Sequence, residues 1–237
     1  MTKLFYFCTM LKTKIYLSLF FISFFAIAFK AFDSFRVESN ERAMEMYKDP
    51  SKFYKLKESE LAKLQHGDII MRKGHGSVSD IIDNMYPTGY HLSHCGVVIK
   101  DGDSIYVAHT VSSELSQHDG VQTEDIHKFV RESVRNSIVL VRPKIDSSER
   151  HQIAEASRAF IGRNKPFDYA FDISDTNKFY CTELIYQAYY SVYNQDMFPE
   201  RLSTDHPNYL GLDALLDTSR FERIIVHQAF DPKHLPK

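Results

Sequence analysis

The stretch KFYCTELIYQAYY, residues 178–190, decides how this chain is read. From Cys181 onward, apolar and aromatic side chains recur at Leu184, Ile185, Ala188, Tyr189 and Val192. That spacing draws one buried stripe along an α-helix. Cys181 stands one turn before Leu184 and Ile185, so it projects inward from the first turn. A helix N-terminus offers unpaired N–H groups and positive partial charge, and both favour a thiolate. A free cysteine also packs as a small hydrophobe. The stretch alone fits either role, and its surroundings must decide.

The clearest hairpin in the chain lies upstream. HLSHCGVVIK (91–100) and DSIYVAHTV (103–111) are β-rich runs on either side of Asp101-Gly102. A two-residue turn at Asp101-Gly102 sets His94 directly across from His109, with Cβ atoms about 5 Å apart. The same face carries Gly96, Val98, Ile105 and Val107 and is otherwise apolar, and Gly96 leaves room beside His94 for a close approach. A one-residue slip would send His109 to the other face. Cys95 points away from that face and reads as core. A thiol needs a base to act as a nucleophile near neutral pH, and imidazole titrates in that range. The base in turn needs a polar group to fix its ring and tautomer. Cys181, His94 and His109 supply such a set, provided the helix packs on the hairpin.

The rest of the chain supports an α+β fold. Gly67-Asp68 introduces a strand, IIMRK. A short helix through Ile81, Ile82 and Met85 follows, with Ser77 or Ser79 as candidate caps. SIVLVRP (137–143) is a strand stopped by Pro143. SSERHQIAEASRAFIG is a helix with Ser147 or Ser148 as candidate cap and Gly162 at its end. The loop PFDYAFDISDTN leads to Cys181, a helix falls near Leu212–Leu216, and RIIVHQAF (223–230) reads as the last strand. Residues 111–136 are polar and read as looped and partly helical. Helices are also expected around Glu38–Tyr47 and Lys57–Leu64. With no regular βαβα alternation, the sheet is expected to be antiparallel.

A net charge of −2 gives no basic surface for nucleic acid. The three cysteines, Cys8, Cys95 and Cys181, are not a disulfide framework, and no C-x-x-C pair suggests a thiolate zinc site. A metal site on His91, His94, Cys95 and His109 is disfavoured, because residues three apart on a strand face opposite ways. No metal and no cofactor is expected. His66, His75, His118, His127, His151, His206, His227 and His234 are scattered and read as solvated.

Residues 15–29, IYLSLFFISFFAIAF, carry no charge and follow Lys12 and Lys14, and Ala26-Ile27-Ala28 has the small-x-small form of a cleavage site. This is the layout of a secretory signal, and a short membrane anchor is the alternative. The expectation is an exported protein, periplasmic or extracellular, or held at a membrane by its N-terminus.

The pieces LQHGDIIM, YHLSHCGVVI, SIYVAHTV and PFDYAFDISDTNKFYCTELIYQAYY resemble the permuted papain-like cysteine hydrolases of the NlpC superfamily, and within it the YiiX/YebB-like amidases. The resemblance implies a circularly permuted papain-like fold, a small antiparallel sheet or barrel packed against the nucleophile helix. It divides the chain into a signal or anchor (1–30), an N-terminal helical or linker segment (31–60) and the hydrolase domain (61–237). Residue by residue, Cys181 matches the nucleophile and His94 the general base. His109 stands at the third position, which is usually acidic in close relatives, and Glu114 and Glu183 are the acidic residues that could replace it. Tyr180 and Asp68 match oxyanion- or substrate-side positions, Asp68 with a structural role as its alternative. The implied activity is hydrolysis of an amide in a peptide or cell-wall peptide through a thioacyl-enzyme. The alternatives are a lipid acyltransferase or thioesterase of the same superfamily, or an inactive binding module. The expected partner is a peptide-like or acyl substrate.

Overall fold

The computed structural model describes residues 17, 18, 20–34, 37, 53–113, 118–163, 165–199 and 208–235. Helix α1 covers 20–34 and holds Phe20, Phe21, Phe24, Phe25 and Phe29 exposed. Among the described residues, no helix is long and apolar enough to cross a membrane. The helix expected at Glu38–Tyr47 lies outside the described residues. That expected near Lys57–Leu64 is a single turn, α2 (Glu58–Leu61).

The architecture is one antiparallel sheet of six strands in the order β4-β3-β2-β1-β5-β6. The strands are β1 (Ile69–Arg72), β2 (His94–Asp101), β3 (Ser104–Val111), β4 (Gly120–Asp125), β5 (Val139–Pro143) and β6 (Phe221–Val226). Helices α3 (Ser77–Met85), α4 (Ile126–Arg131), α5 (Ser147–Ala159) and α6 (Cys181–Tyr193) complete it, with a 3-10 turn at Leu212–Leu216. Both sheet faces are covered, which is why the central strands read as continuous apolar runs. Ile69, Met71, Cys95, Val97, Ile99, Ala108, Val139 and Val141 join Ile153, Ala154, Ile185 and Ala188 of α5 and α6 in one core. Ile70, Val98, Val107 and Leu140 face the other way, onto Ile126, Phe129 and Val130 of α4.

Four local readings change. The hairpin turn is Gly102-Asp103, since Asp101 pairs with Ser104 and Val97 with Ala108. Gly102 adopts φ +59° at the first central position, where glycine suits a hairpin turn. The register therefore moves by two residues, and His94 and His109 stay on one face as diagonal neighbours. The cap of α5 is Asp146: its Oδ1 accepts the N–H groups of Ser148 (2.8 Å) and Glu149 (2.9 Å), and Glu149 accepts the Asp146 N–H. Carboxylate at this position also opposes the helix dipole. For α3, the N-cap is Gly76, with no side-chain cap. The polar 111–136 segment contains a true strand, β4, paired along β3 at the sheet edge.

Candidate active site

β2 begins at His94, where the register with β1 sets Arg72 directly opposite. Gly96 comes level with His109, and a Cβ there would lie 2.4 Å from Val107 and 3.0 Å from His109 Cβ. The absent side chain lets the His109 ring lie against β2 and reach His94: His94 Nε2 and His109 Nδ1 are 2.8 Å apart. The two rings meet edge to face at 5.1 Å between centroids. Buried Phe129 of α4 floors both, at 5.8 Å from the His94 ring and 5.5 Å from the His109 ring. Arg72 also packs on Phe129, its guanidinium carbon 4.2 Å from that ring's centroid and its Nη1 donating to the Phe129 carbonyl at 2.6 Å.

These surroundings set the protonation states. Burial, then the Arg72 charge and the neighbouring ring, hold His94 well below the usual imidazole range. Burial, Arg72 and Lys128 do the same to His109. Both rings are neutral near pH 7. Of His109's nitrogens, Nε2 is buried with no hydrogen-bond partner among the described residues. In the tautomer with the His109 proton on Nε2, His109 Nδ1 accepts from His94 Nε2–H and His94 Nδ1 carries the free lone pair.

Cys181 is the first residue of α6, whose start is held by three hydrogen bonds. The Thr110 hydroxyl, one residue past His109, donates to the Phe179 carbonyl at 2.7 Å. The Thr182 hydroxyl donates to the Leu210 carbonyl, and the Leu210 N–H donates to the Tyr180 hydroxyl at 2.7 Å. The Cys181 thiol is pulled below its ordinary pKa, first by a hydrogen bond from the Cys95 side chain, against burial, and then by N–H groups of Cys95, Thr182 and Cys181. Cys95 moves the other way, pushed up by burial and by the same neighbour. Cys95 is thus core, as its strand phase predicts, and also the thiol next to Cys181.

Cys181, His94 and His109 all line one cavity of about 860 Å³. That volume suits a small-molecule or peptide-sized ligand. Val78 and Ile82 of α3, Val111, Phe167 and Phe171 give it apolar walls, while Arg72, Glu124, Lys128 and Glu132 supply charge.

The sequence model of the permuted papain-like amidase family YaeF/YiiX, C92, matches residues 63–206, well over half of this chain. The chain belongs to this family. A crystal structure of the metalloprotein YiiX from Escherichia coli O157:H7 superposes on it with a TM-score of 0.54, at 19% identity over 69% of this chain and 97% of that one. That level of identity supports the shared fold. No curated protein matches this chain. The YaeF/YiiX-type fold agrees with the expected permuted papain-like architecture, realised as an open sheet with β4 and β6 at its edges.

Other sequence candidates land elsewhere. Asp68 is fully buried and paired with Arg142, Nε to Oδ1 and Nη2 to Oδ2 both at 2.8 Å, and it also accepts the Gln65 N–H. It lies outside the cavity lining. Tyr180 is likewise buried, stacked on Tyr209 at 5.7 Å, and anchors the helix start. Glu183 is buried on α6, accepts the Tyr180 N–H at 3.3 Å, and burial lifts its pKa to about 9. It is a neutral helix-start group, not a partner for His94. Glu114 lies outside the described residues. The posited four-ligand metal set separates, since His91 bonds Asp83 while His94 bonds His109. Several histidines read as solvated have partners: His227 joins Tyr54 and Glu60, His66 pairs with Glu155, and His234 bonds Asp83. Arg72 is the residue sequence reasoning missed. The alternation of IIMR could have placed it on the Ile70 face, but its pairing with His94 requires the β1–β2 register.

Proposed function

We propose that this YaeF/YiiX-type amidase cleaves an amide bond in a peptide or peptide-like substrate through a Cys-His-His mechanism. Cys181 is the nucleophile, His94 the general base and His109 the group that orients the base. The reading rests above all on the bond between His94 Nε2 and His109 Nδ1, which occupies one ring nitrogen of His94, together with the cavity that His94 and Cys181 both line. His94 Nδ1 takes the Cys181 proton as sulfur attacks the acyl carbon. The C–N bond breaks as His94 returns that proton to the leaving amine, giving a thioacyl-enzyme and a free amine. Water, deprotonated by His94, then releases the carboxylic acid. The N–H groups at the start of α6 are the oxyanion donors nearest the sulfur.

The test is turnover of peptide amides together with intact-mass detection of the acyl-enzyme. Cys181→Ala should show neither activity nor adduct while staying folded. Wild-type-like hydrolysis by Cys181→Ala would remove the mechanism.

A second reading is acyl transfer to or from lipid. The apolar walls contributed by Val78, Ile82, Phe167 and Phe171 favour it, as does the exposed apolar face of α1. Parallel assays with phospholipids and peptide amides separate the two. Export, with α1 as secretory signal or membrane anchor, belongs to both readings, and fractionation of cells expressing the full chain tests it.

A further inference from the structure

In the last turn of α3, outside the cavity lining, two histidines converge on one carboxylate. Asp83 is almost completely buried, with a side chain 3% exposed. Its Oδ2 lies 3.0 Å from His91 Nδ1, and its Oδ1 lies 3.0 Å from His234 Nε2. The two imidazoles overlap at 4.2 Å between centroids, and all three ligand atoms fall within 4.8 Å of one another. From the geometry we propose that Asp83, His91 and His234 form a binding site for one divalent transition-metal cation of the zinc class, which staples the C-terminal tail to helix α3.

The donor set is the first argument. Two imidazole nitrogens and one carboxylate oxygen make a three-ligand site for zinc, with water in the fourth position. Bonds of about 2.0–2.2 Å at tetrahedral angles put neighbouring ligand atoms about 3.4 Å apart. With Asp83 Oδ2 as the ligand, its 3.0 Å contact to His91 Nδ1 opens by a few tenths of an ångström, and the remaining ligand-atom separations, all within 4.8 Å, close toward that value. Each histidine binds the cation through a ring-nitrogen lone pair, with its proton on the other ring nitrogen. Charge also fits: two carboxylates, Asp80 and Asp83, face the single ammonium of Lys73, whose Nζ is 3.1 Å from Asp80 and 2.8 Å from Asp83 Oδ2.

Preorganisation is the second argument. The Leu92 N–H bonds Asp83 Oδ1 at 3.0 Å and fixes the carboxylate. Gln228 grips both the N–H and the carbonyl of His91, at 2.8 and 3.2 Å. The tail bearing His234 is tied to Gly89 by two backbone bonds, Gly89 N–H to the His234 carbonyl and Asp231 N–H to the Gly89 carbonyl. Both histidines are thus held in place by contacts independent of any ion, which lowers the ordering cost of binding. His91 is half-exposed and gives the cation a way in. The consequence reaches the active site, since Val78, Ser79 and Ile82 of the same helix line the cavity.

The test uses the purified full-length protein, stripped with chelator. Cobalt(II) is titrated while its visible absorption is followed, and zinc(II) is then used to displace it. One equivalent should bind at micromolar concentration or tighter. Zinc at about 100 times its Kd should raise the unfolding midpoint by roughly 5–10 °C. His91→Ala and His234→Gln should each weaken binding by tenfold or more, and Cys181→Ala should leave it unchanged. His91→Ala changes a half-exposed side chain, so its fold is expected to survive. Failure to bind below millimolar zinc, binding that persists in the His91→Ala/His234→Gln double variant, or loss of binding in Cys181→Ala would each overturn the proposal.

Discussion

Replacing His109 with alanine isolates the contact on which the proposed mechanism depends. In the native protein, His94 Nε2 has its partner 2.8 Å away on His109. Alanine leaves that N–H against Phe129 with no acceptor. An unsatisfied buried donor costs about 1–3 kcal/mol. If that cost falls on the oriented base, kcat/KM drops by about 5–150-fold. Removing the base itself with His94→Ala should cost more, about 10²–10⁴-fold. His109→Asn restores a carbonyl acceptor and should recover part of the loss. The assay is kcat/KM on a peptide amide, after circular dichroism has established that each variant is folded. A second readout is stability against pH. Both rings have folded pKa values below the unfolded value, so the unfolded chain binds protons the native one refuses. Native stability therefore falls as pH drops below about 6.5, and His109→Ala should make that fall shallower. If His109→Ala lost as much activity as His94→Ala, base and orienter would be exchanged. If it lost none, the bond would have no part in catalysis.

Arg72→Met removes the charge that helps hold both histidines neutral. The acid limb of kcat/KM should move to higher pH, and an unmoved limb would mean that burial alone sets the base. Cys95→Ala deletes the hydrogen bond that most lowers the Cys181 thiol. Alkylation of Cys181 by iodoacetamide at pH 7 should slow by about tenfold, with Cys95→Ser retaining much of the native rate. Asp68→Ala leaves Arg142 without its carboxylate in a largely buried pair. Denaturant unfolding should show a loss of about 3–5 kcal/mol, while Cys181 in the remaining folded protein alkylates at the native rate.

The sequence pattern carried the fold as far as local rules reach. Period-two and period-3.6 patterns located β1, β2, β3, β5, α5 and α6, because those elements bury apolar faces. The same logic passed over β4, GVQTED, which sits at the sheet edge with polar side chains and pairs only with β3. The hairpin was displaced by two residues because Asp-Gly reads as the turn pair, whereas Gly102 here occupies the first central position. The His94–His109 meeting survived that error, since a shift of two preserves the face. The neighbours of Cys181 were less legible. Which sheet face α6 covers follows from three-dimensional packing, and only that packing makes Cys95 its partner. Asp83, His91 and His234 come from a helix, a loop and the C-terminal tail, with no spacing to announce them.

One strand end organises both halves of the site. His94 and Cys95 are consecutive, so their side chains leave β2 on opposite faces. Toward α4, His94 meets Arg72, His109 and Phe129, which keep the base neutral and oriented. Toward α6, Cys95 meets Cys181 and favours the thiolate. A carboxylate at position 109 would couple the halves, because its charge would favour imidazolium and hence a resting thiolate–imidazolium pair. A neutral histidine adds no such charge, and the coupling is left to the proton that His94 takes from Cys181. In the proposed mechanism the nucleophile is therefore tuned from one side of the sheet and the base from the other. Because His94 takes the Cys181 proton in that mechanism, the effects of Arg72→Met and Cys95→Ala on log kcat/KM should be coupled, departing from additivity by more than about 0.5 kcal/mol. Strict additivity would mean that base and thiol do not exchange a common proton.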